Sequence, residues 1–501
     1  MRSPDIDAGR SQVIGFPPTM CAVLLAVLFA LGCTVGPDYA RPKPPEGQRY
    51  TTQQLPSSTV AADGQVQRFE PGAEIAADWW HLFNSTQIDA LVKEAIADNP
   101  NLQAAQANLR QSQENLRAGY GVFYPQVNAG ASASREKFAG ASFGQGATSS
   151  VFNLFTLNAT VSYALDIFGG ERRAVEGLAA QVDYQRYTAL GTYLTLSANI
   201  VNTVIARAAY AAQIRATQGL IGLEQDQQHV TEAQVTAGIV AYSTLLSVKS
   251  QLAATEATLP PLRQRMDEAE HLLASLTGHL PADRALPEID LAELTLPGDL
   301  PVTLPSELVR QRPDILASEA QLHTASANIG VATAAMFPTF TLSGSFGQAS
   351  NARNSLLESG TNVWSLGANV AAPLFRGGTL SHQRQAAIAA YQAALATYRE
   401  SVLNAFEQVA DTLRALQHDA ETVNAQSRAM EAAGGALKLV QANYEAGIAS
   451  YLQVLVSDEQ YHQSSIAYLQ ARAQRLQDTT ALFVALGGGW WNRPSNGIST
   501  P

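Results

Sequence analysis

An internal repeat constrains this chain more than any other feature of its sequence. Two segments, starting at Asn99-Pro100 and Arg312-Pro313, align without a gap at an offset of 213 residues. Both copies keep 25 residues between successive prolines, 68 or 69 from a double glycine to an Ala-Gly-Ile motif, and 40 from that motif to a later glycine. Chance similarity between Ala-rich helices would not reproduce all three spacings, so we predict one duplicated unit.

Each copy next contains two stretches in which apolar and polar residues alternate. In the first copy Val127, Ala129 and Ala131 alternate with Asn128, Gly130 and Ser132, and in the second Trp364, Leu366 and Ala368 alternate with Ser365, Gly367 and Asn369. This period of two predicts strands with one apolar face, joined as β-hairpins over 125–168 and 338–375. Their length fits transmembrane strands with a polar face toward a wet lumen. A half-buried sheet of a soluble protein is the alternative.

Long proline-free segments rich in helix formers follow both hairpins, from Gly170 to Pro260 and from Pro373 to Pro494. A helix of about 67 residues reaches roughly 100 Å and needs partners along its length. The return segment supplies an apolar seam with coiled-coil spacing, formed by Ile466, Leu469, Ala473, Leu476 and Phe483. The polar Thr480 weakens this seam. We expect helical-hairpin turns at Gly238 and Gly447. The pair Gly434-Gly435 predicts either a kink or a close helix crossing.

The N-terminus has the features of an export signal. From Cys21 to Cys33 no residue is charged, and this run is too short to cross a core of about 30 Å as a helix. It ends in Ala30-Leu31-Gly32-Cys33, which resembles a bacterial lipoprotein box. We expect residues 1–32 to be a signal peptide and Cys33 to be lipidated, with Thr34 typical of sorting to the outer membrane. The alternative is an ordinary signal peptide.

Composition excludes several classes of function. Lys and Arg number 32 against 43 Asp and Glu, a net charge of −11 that disfavours a nucleic-acid partner. Two cysteines exclude a disulfide scaffold and a Cys-built zinc site. Charged residues make up only 15%, but mean hydropathy is −0.05, which a bundle of membrane-spanning helices would not have. Because four membrane strands cannot close into a barrel, the chain is expected to associate with copies of itself.

Three regions resemble the TolC/OprM outer-membrane factor family, and more narrowly the NodT-type outer-membrane efflux lipoproteins of RND systems. The first is Cys33 to Tyr39 with Arg41-Pro42, followed by Asp78-Trp79-Trp80 and Phe83. The second runs from Arg312 to Pro338, and the third comprises Tyr444 to Gly447, Tyr451 to Leu455 and the closing Leu486 to Trp490. The resemblance implies an α+β membrane protein that forms a homotrimer. Each protomer would give four strands to a 12-stranded outer-membrane β-barrel, continued by a periplasmic α-helical barrel. Segments such as 40–98, 281–312 and the C-terminus would build a mixed equatorial region.

The same resemblance implies a function and partners. The chain would be the exit duct of a tripartite efflux system, passing small molecules such as drugs from an inner-membrane RND pump and a periplasmic membrane-fusion adaptor protein to the exterior. It would be no enzyme and need no cofactor beyond the lipid on Cys33. The adaptor is expected to dock at two tip turns, through Gly238, Ile239, Tyr242, Gly447, Ile448, Ser450 and Tyr451. Family members close this tip with charged and polar contacts, which makes Glu232, Glu445 and Asp458 candidates for the aperture.

The predicted boundaries follow from these landmarks. Residues 1–32 are the signal peptide, 33–98 a lipidated linker and equatorial segment, 99–280 the first repeat, 281–312 a Pro-rich connector, 313–489 the second repeat and 490–501 a tail. Two rivals stay open: the outer-membrane duct of a type I protein secretion system, and a structural coiled-coil lipoprotein that spans the envelope.

Other chemistries lack support. The run Gly140-Ala141-Ser142-Phe143-Gly144 matches a nucleophile-elbow pattern but sits in a Gly/Ser loop. The eight histidines have no metal-ligand spacing, and the five methionines do not cluster, which disfavours a channel lined for copper or silver.

Overall fold

The computed structural model describes residues 34–45, 47, 49–139, 149–283 and 286–492. They fall into two compact units. The first contains the described residues up to Ala40 together with Glu114–Ala180 and Leu322–Ala393. The second contains Arg41–Gln113, Gln181–Gln321 and the described residues from Ala394 onward. The predicted signal peptide, Cys33 and the nucleophile-elbow pattern at 140–144 lie outside the described residues.

Helices dominate the second unit, whereas the first unit contains most of the strand residues. The α-helices are α1 (Thr86–Asp98), α2 (Pro100–Gly119), α3 (Gly170–Thr236), α4 (Tyr242–Glu256), α5 (Leu259–Leu276), α6 (Pro305–Gln311), α7 (Pro313–Ala334), α8 (Thr379–Glu445) and α9 (Tyr451–Ala485). The strands are β1 (Arg68–Pro71), β2 (Gln126–Phe138), β3 (Ser150–Leu165), β4 (Asp299–Val302), β5 (Thr339–Ser350) and β6 (Asn362–Ala371). Short 3₁₀ helices lie at Trp79–Phe83, Tyr120–Phe123, Arg353–Ser355 and Trp490–Asn492. The order helix, two strands, long helix therefore occurs twice.

The first unit contains an antiparallel sheet of four strands in the order β2-β3-β5-β6. Its polar face carries cross-strand hydrogen bonds, between Ser132 Oγ and Thr156 Oγ1 at 2.6 Å and between Ser345 Oγ and Ser365 Oγ at 2.8 Å. Apolar partners occupy the alternate registers, such as Phe346 opposite Trp364. The predicted alternation is therefore present, and the two hairpins join through β3 and β5.

Two α-helices of 67 residues each, α3 and α8, run without interruption. Helix α3 begins where the Asp166 carboxylate accepts hydrogen bonds from the backbone N–H groups of Glu171 and Arg172, at 3.1 and 2.9 Å. This carboxylate satisfies donors that have no partner inside the helix. One window of α3 is apolar enough to pass for a membrane span, but 67% of it is buried, as in the core helix of a soluble protein.

The seam of α9 follows the predicted spacing. Ala473, Leu476 and Phe483 are buried. Thr480 is also fully buried, and its hydroxyl donates to the Leu476 carbonyl at 3.2 Å, so the polar residue in the seam is satisfied. Helix α8 contributes a seam of its own with steps of three and four residues, formed by Tyr398, Val402, Ala405, Val409, Leu413, Leu416, Ala420 and Val423.

Gly434 marks a close helix crossing rather than a kink. Helix α8 continues through it to Glu445, and a Cβ atom at Gly434 would lie 3.1 Å from Cε2 of Tyr461 on α9. Gly435, one residue on, faces open space. Only the first glycine therefore lies at the close approach of the two helices.

The segments expected in the equatorial region pack together within the second unit. Strands β1 and β4 pair in parallel, with Phe69 opposite Leu300. The Trp79 ring is completely buried and stacks on Phe483 of α9, with ring centroids 5.4 Å apart. The part of segment 40–98 that lies in the second unit, the Pro-rich connector and the last helix thus share one core.

Candidate functional site

The two Ala-Gly-Ile turns end the long helices with the same geometry. Gly238 and Gly447 have φ of +70° and +76°, a left-handed conformation that favours glycine. Each glycine N–H donates to a carbonyl three residues earlier, and each following N–H, of Ile239 or Ile448, donates to a carbonyl five residues earlier. This Schellman pattern satisfies the last helical carbonyls. We call these two turns, with the first turns of α4 and α9, the tip.

The two tip turns differ in how their equivalent tyrosines pack. Tyr451 of the second copy is 8% exposed and joins Val248 and Val454 in a small core. Its ring meets Tyr444 edge to face, with centroids 5.7 Å apart. Tyr242 of the first copy is 63% exposed. The tip is therefore asymmetric, and of these two predicted docking residues only Tyr242 is an exposed side chain.

Ser450 fixes the start of α9. Its side chain accepts from the backbone N–H at Gln453, and the Gln453 side chain accepts from the Ser450 N–H at 2.9 Å. This reciprocal capping box ties the second turn to the helix that follows. The neighbouring Ile448 and, in the first turn, Ile239 are exposed. Two apolar side chains therefore project from rigid turns.

An exposed groove runs between α4 and α9 directly behind the tip. Its lower part has a volume of 440 Å³ and is lined by Leu246, Leu452 and Val456 among others, all three of them exposed. The next part, of 450 Å³, shares Gln251 and Glu459 with the lower part. We call this surface the α4–α9 groove. Exposed apolar side chains along a helical groove are typical of a protein-binding surface.

The three acidic residues proposed for the aperture occupy different environments. Glu445 is exposed. Glu232 pairs with Lys249 at 2.9 Å, and this hydrogen-bonded ammonium lowers the pKa of the Glu232 carboxyl. Asp458 is only 7% exposed. Helix α9 turns this side chain into the helix packing. The assignment of the three acids to the aperture stays a prediction.

Asp458 belongs to a buried acidic pair that sequence reasoning missed. Glu224 on α3 is 3% exposed, and one of its carboxylate oxygens accepts from the Thr255 hydroxyl at 3.0 Å. Burial raises the pKa of Glu224, and burial together with the Glu224 charge raises the pKa of Asp458 to about 7. The available signal was position: Glu224 follows Thr217 by seven residues, and Asp458 follows Tyr451 by seven, on buried seams.

The first unit holds the segment that follows Cys33. The Val35 N–H donates to the Phe168 carbonyl at 3.0 Å, and Asp38 pairs with Arg173 at 2.6 Å. Gly36 has a φ of +95°, and a Cβ there would lie 2.5 Å from Cα of Gly330. We call residues 34–39 the strap. Phe168 also stacks on Phe337, with centroids 4.6 Å apart, where the strands end.

Arg173 is a second residue that the sequence did not single out. Its side chain is almost fully buried and also pairs with Glu176 at 2.7 Å, and Glu176 in turn contacts His323 at 2.9 Å. Tyr39 stacks on the His323 ring with centroids 4.1 Å apart. These contacts hold the strap against α3 and α7.

Within the described residues, no group of three or more His, Cys, Asp or Glu side chains could hold a metal ion. A further groove, of 740 Å³, is lined by polar residues such as Thr188 and Asn199 together with apolar ones such as Leu196 and Leu276, and Asp314 is its acidic member.

Comparison with known proteins agrees with this geometry. A model of the family described as "Outer membrane efflux protein" matches residues 91–279 and 304–488. The pyoverdine export outer membrane protein OpmQ of Pseudomonas aeruginosa is 31% identical over 444 residues, covering 86% of this chain and 92% of OpmQ. The cation efflux system protein CusC of Escherichia coli K12 is 28% identical over 482 residues, 94% of this chain and 99% of CusC.

A solved structure of the outer-membrane channel OprN superposes with a TM-score of 0.82 at 26% identity, covering 91% of this chain and all of OprN. This confirms the resemblance inferred from the motifs and a fold shared with outer-membrane channels. The family consists of efflux channels rather than enzymes. The chain belongs to the outer membrane efflux protein family and acts in efflux at the outer membrane.

Proposed function

We propose that this chain is the exit duct of a tripartite RND-type efflux system and works as a homotrimer. One observation carries the proposal: an antiparallel sheet of four strands whose edge strands, β2 and β6, have no further partner among the described residues. Backbone groups at such edges cost several kcal/mol each in hydrocarbon, so a membrane sheet must close. Three copies supply twelve strands, enough for a barrel, with the serine and threonine face toward the lumen.

The apolar face of the sheet supports the same arrangement. Leu366 is 82% exposed, and Trp364 and Val370 on the same strand are also exposed. Exposing such an apolar face to water is unfavourable, whereas contact with lipid stabilises it.

The strap supports a lipid anchor at Cys33. Thr34 contacts Gly169, and Val35 is hydrogen-bonded to Phe168, so the strap begins near the end of β3. The aromatic pair Phe168–Phe337 suits a membrane interface. Acyl chains on Cys33 would enter the bilayer next to the barrel. One acyl chain alone binds a membrane weakly, so several chains together with the barrel would anchor the protein stably.

The tip and the α4–α9 groove support docking of a periplasmic adaptor protein. Ile239 and Ile448 project from the two turns, and Leu246, Leu452 and Val456 line the groove. Helix-in-groove recognition uses such apolar anchors spaced along helices. The adaptor would connect the duct to an inner-membrane RND pump that supplies the energy.

Small molecules are the proposed cargo. OpmQ is named for pyoverdine export and CusC for cation efflux, so different cargoes occur among relatives. The scattered methionines of this chain weigh against soft metal ions. A type I duct for proteins is the second candidate, since it would share the barrel and long helices.

Two measurements test the proposal. Native mass spectrometry of the full-length protein in detergent should give three chains, each with an acylated Cys33. A strain that lacks the gene should become sensitive to dyes and antibiotics, and regain resistance with the wild-type gene. A monomer would refute the barrel. Loss of a secreted protein without a change in drug sensitivity would favour the type I duct. Sensitivity to copper or silver alone would favour metal ions as the cargo.

A further inference from the structure

The acidic pair Glu224 and Asp458 lies where a coiled-coil seam normally has apolar residues. Glu224 is 3% exposed on α3, and Asp458 is 7% exposed on α9. Each keeps one buried oxygen, Oε2 of Glu224 and Oδ1 of Asp458, without a hydrogen-bond partner. Among the described residues, neither forms an ion pair. Two carboxylates in such a place cannot both be ionised at low cost.

The groups around the pair do not supply a positive charge. From α4, Thr255 and Gln251 donate to Glu224, and the Glu256 carboxylate adds negative charge. From α9, Tyr451 and His462 lie on the same side as Asp458. Burial lowers the pKa of His462, and burial together with the two carboxylates raises the pKa of Tyr451, so both rings are neutral near pH 7. On α8, Tyr444 is packed on Tyr451.

Two basic side chains on the neighbouring helices, Lys249 and His462, have partners other than the acidic pair. Lys249 of α4 pairs with Glu232, nearer the tip. The His462 ring is hydrogen-bonded to the Thr217 hydroxyl at 3.1 Å. The pair therefore relies on a proton to stay buried.

We propose that Glu224 and Asp458 form a proton-dependent latch that keeps α3, α4 and α9 packed behind the tip when one proton is bound, and loosens them when both carboxylates ionise. Loosening would hydrate the pair through the adjoining α4–α9 groove, which Gln251 and Thr255 already line. Both carboxylates act electrostatically on Tyr451, which belongs to the tip core with Val248 and Val454. Tip packing would thus respond to pH.

The direction follows from the shift. A carboxyl whose pKa is raised in the packed state favours packing while protonated and opposes it as pH rises. For Asp458, with a pKa of about 7, the packed tip should be favoured at pH 5.5 and weakened at pH 8.5. The latch would regulate the tip of the proposed duct, and this inference rests on the proposed function.

Hydrogen–deuterium exchange of the full-length trimer tests the latch without requiring conduction. After correction for the intrinsic effect of pH, peptides covering 219–232 and 451–463 should exchange at least fivefold faster at pH 8.5 than at pH 5.5. E224Q and D458N each remove one charge at constant size and should abolish this difference. D226N, a change at an exposed acid two residues from Glu224, should leave it intact.

Each alternative result is decisive. An equal pH response in wild type, E224Q and D458N overturns the latch, as does the absence of any response in wild type. Size-exclusion chromatography identifies a misfolded variant, and agreement between two different substitutions guards against a local defect. Restored protection on adding calcium chloride at pH 8.5 would also overturn the proposal, because a metal ion would then take the place assigned to the proton. A duct that conducts but lacks this pH response separates failure of the latch from failure of the duct.

Discussion

Tyr451 lies edge to face against Tyr444 at 5.7 Å between ring centroids, whereas Tyr242, its counterpart in the other repeat, is exposed. The duplicated sequence has thus diverged in packing at the tip. The second turn is held by an aromatic core and a capping box, while the first presents its tyrosine to solvent. This difference gives the tip one anchored and one accessible turn.

Truncating the two tyrosines should therefore have unequal effects. Y451A removes a buried ring and should lower the free energy of local opening at the tip by about 3 kcal/mol. Y242A should change it by less than about 0.5 kcal/mol, because its ring is in solvent. Hydrogen exchange of residues 440–456 measures both changes. Equal effects would mean that the tip is symmetric after all.

Glycine substitutions separate turn geometry from packing. G447A forces a left-handed conformation on alanine and should cost about 1–2 kcal/mol at the turn. G435A places alanine in a helix with open space around its Cβ and should stabilise by about 0.5–1 kcal/mol. Thermal unfolding of the two variants should shift in opposite directions; a shift in the same direction would contradict the assigned roles.

The strap can be tested with two glycines that share a backbone conformation. Gly36 and Gly64 both have positive φ, but only at Gly36 would a Cβ meet other atoms, those of Gly330. G64A should cost about 1 kcal/mol from strain alone. G36A should cost about 2–4 kcal/mol, because overpacking adds to the strain.

Exchange of amides 34–40 reads out whether the strap is displaced. G36A should raise this exchange strongly, while G64A leaves it near the wild-type level. If both variants leave the strap protected, its contacts with Phe168 and Gly330 do not hold it in place.

Charges introduced on the two faces of β6 should differ in effect. L366R puts a charge on the apolar face and should cost about 2–4 kcal/mol if that face meets the middle of the bilayer. S365R, one residue earlier, changes the polar face and should be tolerated. The amount of trimer in the outer-membrane fraction reports the outcome. Comparable loss for both variants would argue against a lipid-facing sheet.

Adaptor docking predicts that a charge at the tip impairs efflux without affecting assembly of the trimer. I448D places a charge on an exposed apolar side chain of the tip and should reduce efflux-dependent resistance at least fourfold with the trimer intact. L439D, at an exposed leucine of α8 before the turn, is the matched control and should have little effect. A photocrosslinker at Leu452 should capture a periplasmic protein in living cells; capture of none would contradict docking at this groove.

Much of this architecture follows from periodicity. Alternation around Ser132 and Ser365 predicted strands, and the proline-free stretches with a glycine at each end predicted helices of 67 residues, because each signal is local to a few residues. The pairing of β3 with β5 was not predictable, since both hairpins carry the same pattern. Neither Glu224 nor the burial of Asp458 was predicted, because burial at these positions depends on which helix seams meet. The contacts of the strap could not be predicted either, because Asp38 and Arg173 lie 135 residues apart in the sequence.

The central claim is that the assembled chain is a duct, and single-channel recording tests it most directly. Full-length protein in a planar bilayer should give discrete conductance steps, which Y451A should make more frequent by loosening the tip and S365R should make smaller by narrowing the lumen. If neither wild type nor Y451A ever conducts although both are trimeric and inserted, the duct is wrong and a structural role in the envelope becomes the better account.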